Sequence, residues 1–152
     1  MKERDKLTQY FREAQVGFTR FFTVILGEVG LTLPQYALLN QLTASGAIPM
    51  TEASKLLHIT KPAVTNLVDR LEKNDYLKRL RHPKDRRVFL LEIQPKGISL
   101  VHNVQGRVLD ILLQAFSKFG EQEQKTITQF YAGLVQNLAT ISNQFEANKN
   151  GN

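Results

Sequence analysis

Helical periodicity governs this chain except once, between Tyr76 and Gln94, and that interruption restricts the fold more than any other feature. Lys78 to His82 and Arg87 to Ile93 read as two short strands, the second rich in Val, Phe, Leu and Ile. His82-Pro83-Lys84-Asp85-Arg86 is the loop between them, so the hairpin has a very basic tip. Helix is expected on both sides of it.

Upstream, Leu7, Phe11, Ala14, Phe18, Phe21, Phe22, Ile25 and Val29 recur at helical spacing and predict a long amphipathic helix ending near Gly30. Thr32-Leu33-Pro34-Gln35 offers a capping box with proline in the first turn. The helix it opens carries Tyr36, Leu38, Leu39 and Leu42 and stops around Ser45-Gly46. Pro49-Met50-Thr51 starts a short third helix with Ala53, Leu56 and Leu57 inward. Thr60-Lys61-Pro62 repeats the cap-then-proline signal and opens a fourth, whose buried stripe is Val64, Leu67, Val68 and Leu71. Downstream of Gln94-Pro95-Lys96-Gly97, Val101, Val104, Val108, Ile111, Leu112, Ala115 and Phe119 form one stripe. After a break at Gly120-Glu121, Ile127, Phe130, Tyr131, Leu134, Leu138, Ile141 and Phe145 form another.

The expected fold is mainly α with a small β-hairpin wing. Residues 31–97 make a winged helix-turn-helix, residues 1–30 and 98–147 a long-helix dimerisation platform, and residues 148–152 a disordered tail. Long helices with wide apolar faces at both ends of a chain commonly pair with a second copy, which predicts a homodimer.

Charge narrows the function. Twenty Lys and Arg stand against fourteen Asp and Glu, a net of +6. Residues 51–87 alone hold ten of the basic and five of the acidic residues, so nearly all the excess lies in the middle quarter of the chain. On the fourth helix the face opposite the apolar stripe shows Lys61, Pro62, Thr65, Asn66, Asp69, Arg70 and Lys73. A major groove admits one such helix, with Asn and Thr reading base edges and Arg reading guanine or phosphate. The same face is also compatible with a plain solvated surface. The hairpin favours the groove-reading alternative, because Arg79, Arg81, Lys84, Arg86 and Arg87 crowd a short ribbon and repel one another unless an anion joins them. A protruding arginine suits the negative potential of a narrow minor groove, and Asp85 is placed to orient Arg87.

These segments resemble the MarR family of bacterial winged-helix regulators. Leu31-Thr32-Leu33-Pro34-Gln35-Tyr36 is similar to the family's opening of its second helix, and Ile59 to Lys73 to its recognition helix. Arg79 and Pro83-Lys84-Asp85-Arg86-Arg87 match its wing, and Lys96-Gly97 the start of its fifth helix. The resemblance implies a homodimer joined by the first, fifth and sixth helices and bound to a pseudo-palindromic operator on double-stranded DNA. It makes Arg87 the minor-groove arginine and Asp85 its partner, and implies a DNA-binding set of Thr60, Lys61, Pro62, Thr65, Asn66 and Arg70 with Arg79, Arg81, Lys84, Asp85, Arg86 and Arg87. Two positions depart from the family pattern. Asn74-Asp75 replaces the usual glycine after the recognition helix, and Ile93-Gln94-Pro95 replaces Leu-Thr before Lys-Gly. Asn and Asp tolerate left-handed backbone, and proline suits a first helical turn.

Family members often release DNA on binding a small phenolic or other aromatic effector. Phe18, Phe22 and Tyr36 are the candidate pocket residues, with plain core packing as the competing reading. The chain has no Cys, which excludes thiol sensing, disulfides and thiol catalysis. Its three histidines, His58, His82 and His102, are dispersed over a short helix, the wing and the fifth helix, so no metal is expected. No Gly-rich phosphate loop, His-Glu-x-x-His or Gly-x-Ser-x-Gly occurs, so neither catalysis nor a cofactor is expected. The opening residues lack the apolar run of a signal peptide, and no stretch of about 18 apolar residues follows, which predicts a cytoplasmic protein with no membrane partner. A competing function is a helical dimer that uses its basic hairpin as an electrostatic dock for RNA or an acidic protein. DNA reading requires Thr65, Asn66 and Arg70 to set sequence preference, whereas docking needs only net charge.

Overall fold

The computed structural model describes residues 2–150, with side chains from residue 2 to 144, so the tail expected from Asn148 lies outside the described side chains. In chain order the elements are α1 (Glu3–Glu28), α2 (Leu33–Ser45), β1 (Ile48–Pro49), α3 (Met50–Leu57), α4 (Lys61–Lys73), β2 (Leu77–Arg81), β3 (Phe89–Ile93), α5 (Pro95–Phe116) and α6 (Glu121–Asn150). They divide into two compact units, Met1–Val108 and Leu109–Asn152.

The first unit is organised by its caps. The Thr32 backbone N–H donates to Gln35 Oε1 at 2.8 Å, and Pro34 sits in the first turn of α2. Thr60 Oγ1 accepts the Ala63 N–H at 3.4 Å and starts α4 directly before Lys61-Pro62. Asp75 takes the left-handed conformation, with φ of 60°, and the Tyr76 N–H returns to the Leu71 carbonyl at 3.0 Å. The turn normally given to glycine therefore survives with aspartate in it. His58 ends α3 in the same left-handed way, which the sequence does not announce.

The antiparallel sheet has the order β1-β3-β2, and Arg79 lies opposite Leu91 and Arg81 opposite Phe89. The strand β1 is two residues long, too short for any periodicity to reveal it. As an edge strand it tolerates Pro49. The second hairpin strand is shorter than the sequence suggests, and the first keeps its length but starts one residue earlier. Val88 N–H bonds the Asp85 carbonyl at 3.0 Å and His82 N–H bonds the Val88 carbonyl at 2.9 Å, so Arg87 and Val88 belong to the turn.

One core joins these elements: Leu38, Leu39 and Leu42 of α2, Val64, Val68 and Leu71 of α4, Leu77 and Leu91 of the sheet, and Val101 and Val104 of α5. The expected inward set of α3 is only partly realised. Ala53 is buried and Leu57 packs on the core, but Leu56 is exposed, because a helix of eight residues offers the core a narrow stripe. On α1 the core takes Ile25 and Leu26, while Leu7, Tyr10, Phe11 and Val16 remain exposed.

The junction of hairpin and α5 is tight. Pro95 opens the helix, as its fixed backbone angle favours. Lys96 Nζ donates to the Asn74 carbonyl at 2.9 Å and lies 5.0 Å from the Tyr76 ring centroid. A Cβ on Gly97 would run into the Tyr76 carbonyl oxygen. The Lys-Gly pair thus ties α5 to the end of α4.

Further along α5, Arg107 Nη1 donates to Glu28 Oε2 at 2.6 Å and Gln105 Nε2 to Asn40 Oδ1 at 2.8 Å. The Arg107 hydrogen bond holds the Glu28 carboxyl below the usual carboxylate range. A lowered folded-state pKa contributes stability above the ordinary carboxylate range, which is lost as pH falls through the folded value. Wild type is therefore expected to melt above Glu28→Gln at neutral pH, and the gap to close on acidification. A gap that does not change with pH would show that the pair contributes nothing through ionisation.

In the second unit, Gly120 N–H bonds Glu123 Oε2 at 2.8 Å and Gln124 Nε2 donates to the Phe119 carbonyl at 2.9 Å, which fixes the turn into α6. Leu113, Phe130, Tyr131, Val135, Leu138 and Ile141 are all exposed. Among the described residues no single helix is long and apolar enough to cross a membrane.

Candidate nucleic-acid interface

The polar face of α4 follows from its apolar one. With Val64, Leu67, Val68 and Leu71 buried, Thr60, Lys61, Pro62, Thr65, Asn66 and Arg70 are left exposed on the other side. Among the described residues Arg70 makes no ion pair, and its guanidinium is available to an external anion. Thr65 Oγ1 bonds the Lys61 carbonyl at 3.1 Å, a local bond that stops no groove contact.

The hairpin treats its cations unequally. Arg87 is 91% exposed in its side chain, and its Nε lies 3.2 Å from Asp85 Oδ1. The same carboxylate oxygen accepts the Arg87 backbone N–H at 3.0 Å. The Arg87 side-chain and backbone hydrogen bonds together hold the Asp85 carboxyl below its ordinary range. The tip is closed by His82, whose Nδ1 accepts the Lys84 and Asp85 N–H groups at 3.1 and 3.3 Å. Lys84 and Arg86 are exposed. Arg81 stacks 4.9 Å from the Phe89 ring centroid and donates to the Arg86 carbonyl at 2.6 Å, which anchors the ribbon.

Arg79 behaves differently from what the charge pattern suggests. Its guanidinium points back to α4, where Nη1 meets Glu72 Oε2 at 2.6 Å and Nη2 meets Asp69 Oδ1. The charge is satisfied inside the protein. Asp69 and Glu72 therefore matter to this surface, and their signal in the sequence was two acids three apart on an otherwise basic helix.

Lys61 and Thr65 of α4 meet Arg87 and Phe89 of the wing across a groove of about 250 Å³. Helix face and wing arginine thus share one side of the first unit. The candidate pocket aromatics separate. Phe18 and Phe22 line a groove of about 650 Å³ with Thr19, Thr23 and Leu31, whereas Tyr36 lies behind it in the core with its ring 5.8 Å from that of Phe22. Burial pushes the Tyr36 phenol up from its ordinary value. Among the described residues no three His, Asp or Glu side chains converge as metal ligands.

A short-helix head with a recognition-type helix and a basic hairpin beside it defines a winged-helix DNA-binding protein. Residues 31–89 match the model of the MarR family. The chain is 29% identical over 99 residues to the HTH-type transcriptional regulator YsmB of Bacillus subtilis, covering 65% of this chain and 68% of that protein. It is 27% identical over 158 residues to the HTH-type transcriptional repressor MdtR of the same organism, covering 99% of this chain and 100% of that one. The solved structure of the transcriptional regulator Tm0710 from Thermotoga maritima superposes with a TM-score of 0.77 at 27% identity, covering 90% of this chain and 96% of that chain. Over residues 31–89 the chain is thus similar to the MarR family, and the relatives it resembles are transcriptional regulators.

Proposed function

We propose that this protein is a homodimeric, cytoplasmic repressor that reads a pseudo-palindromic operator, with α4 in the major groove and Arg87 in the minor groove. Residues 31–97 form the reading head, and residues 1–30 and 98–147 the dimerisation region. The observation that carries the reading is Arg87: exposed to solvent, oriented by Asp85, and across a groove from the exposed Lys61 and Thr65. Preorganising a charged side chain before binding removes part of the ordering cost of the complex.

Dimerisation is supported by the apolar side chains that each unit leaves exposed on its own, Leu7, Tyr10 and Phe11 in the first and Phe130, Leu138 and Ile141 in the second. Exposed apolar stripes of that kind mark association surfaces. Repression is the activity named for MdtR. The groove at Phe18 and Phe22 has the size and the mainly apolar lining of a small-molecule site, and a small aromatic or phenolic effector is the class that its rings and threonine hydroxyls suit. Binding there is expected to lower operator affinity.

Selection of random duplex DNA on the purified protein tests the reading. An enriched inverted repeat with half-sites about 10 base pairs apart is the expected result. Retention of all duplexes alike, or of RNA and acidic proteins as well as DNA, would replace it with electrostatic docking. On the selected operator, Lys84→Ala is expected to weaken every duplex similarly and to reduce the salt slope by about one, as loss of one phosphate contact does. A change in sequence preference would instead make Lys84 a base reader.

A further inference from the structure

We propose that Arg79 is a positioning residue that sets operator discrimination without touching DNA, an inference that rests on the DNA-reading function proposed above. The geometry is a three-point clamp between wing and recognition helix. Glu72 takes both ends of Arg79, its Oε1 accepting the backbone N–H at 2.9 Å and its Oε2 the guanidinium at 2.6 Å. The other guanidinium nitrogen bonds Asp69 and lies 3.5 Å from the Thr65 carbonyl. The Arg79 side chain is only 21% exposed, the lowest of the wing cations in these ion pairs, against 91% for Arg87.

Thr65, Asp69 and Glu72 are spaced i, i+4, i+7 and form one stripe along α4. Asn66, Arg70 and Lys73 form the neighbouring stripe, one residue further round the helix. Whatever fixes the first stripe fixes where the second points. The buried Val64, Leu67, Val68 and Leu71 hold α4 on the core through apolar burial, which is itself non-directional. The bidentate, charge-assisted bonds to Arg79 are directional. A reading site needs its side chains held within about 0.5 Å and 10–20° of the productive geometry. The clamp also offsets half of the negative charge that Asp69 and Glu72 place on α4.

The test compares the full-length protein's affinity for the selected operator with that for a scrambled duplex of equal length and composition. Arg79→Met is expected to lower the operator-to-scrambled ratio about tenfold, the effect of one mismatched base pair, and to leave the salt slope unchanged. Asp69→Asn with Glu72→Gln is expected to lower the ratio equally, although it removes two negative charges and strengthens binding to scrambled DNA. The triple variant is expected to be no worse than either. A uniform loss on both duplexes with a smaller salt slope in Arg79→Met would make Arg79 a phosphate contact and overturn the proposal. So would a double variant that strengthens both duplexes by the same factor. Should Arg79→Met unfold, Asp69→Asn alone carries the test, since Asp69 is 55% exposed and outside the core. An unchanged ratio there overturns the proposal too. Loss of preference in the wild type would bring down the DNA reading itself, whereas preference kept in the variants brings down only the role of Arg79.

Discussion

Gly97→Ala is expected to lower the stability of the protein by about 3 kcal/mol, the upper end of the usual range for overpacking a tight site. The helical backbone at that position accepts alanine without strain, so the effect comes from space alone. The added methyl meets the Tyr76 carbonyl oxygen and the Ile93 side chain, with Ile93 Cγ1 at 2.9 Å. The Tyr76 carbonyl cannot step aside freely, because it accepts the Gln94 N–H at 2.9 Å in the turn that leads into α5. Moving it also disturbs the Lys96 contacts to Asn74 and Tyr76. For a chain of this length the loss corresponds to a fall in melting temperature on the order of 10 °C. Thermal unfolding followed by circular dichroism checks it. A variant that melts with the wild type would mean that α5 shifts away from the hairpin at no cost, and the close approach would lose its structural role.

Arg87→Ala is expected to weaken operator binding by about 1–3 kcal/mol, roughly 5- to 150-fold, with no change in melting temperature or dimer formation. The side chain is 91% exposed and its ion pair is with Asp85, so its removal leaves no buried group unsatisfied. Exposed pairs of this kind contribute little to folding. The loss is therefore expected to fall on the complex. Its size reflects the strong potential of a narrow minor groove and the prior orientation that Asp85 gives the guanidinium. Fluorescence anisotropy on the selected operator measures it. Equal affinity for wild type and Arg87→Ala would remove the wing tip from the mechanism.

Much of the fold is legible in the sequence because its helix starts carry local chemistry. Thr32 with Gln35, Thr60 with Pro62, and Pro95 each act within one turn, so no tertiary context is needed to find them. The buried stripe of α4 is equally local. Features that depend on a distant partner are not visible in this way. The strand β1 exists only because Ile48 and Pro49 lie beside Leu91 and Leu90. Leu56 looks inward by spacing, yet it is exposed because the eight-residue α3 offers the core only a narrow stripe. The basic hairpin advertises its charge but not its direction. Arg79 and Arg87 are both wing arginines by sequence, and only the fold turns one toward Glu72 and leaves the other in solvent. The aromatic set divides for the same reason. Phe18 and Phe22 open onto a groove, and Tyr36 is enclosed by the core behind them.

In the proposed mode of binding, two copies of α4 read successive major grooves while each Arg87 enters a minor groove beside them. Hydroxyl-radical footprinting of the wild type and Arg87→Ala on the selected operator tests it most directly. Two protected segments separated by about one helical turn are expected, each flanked by minor-groove protection that disappears with Arg87. An even footprint, or one that Arg87→Ala leaves intact, would contradict it.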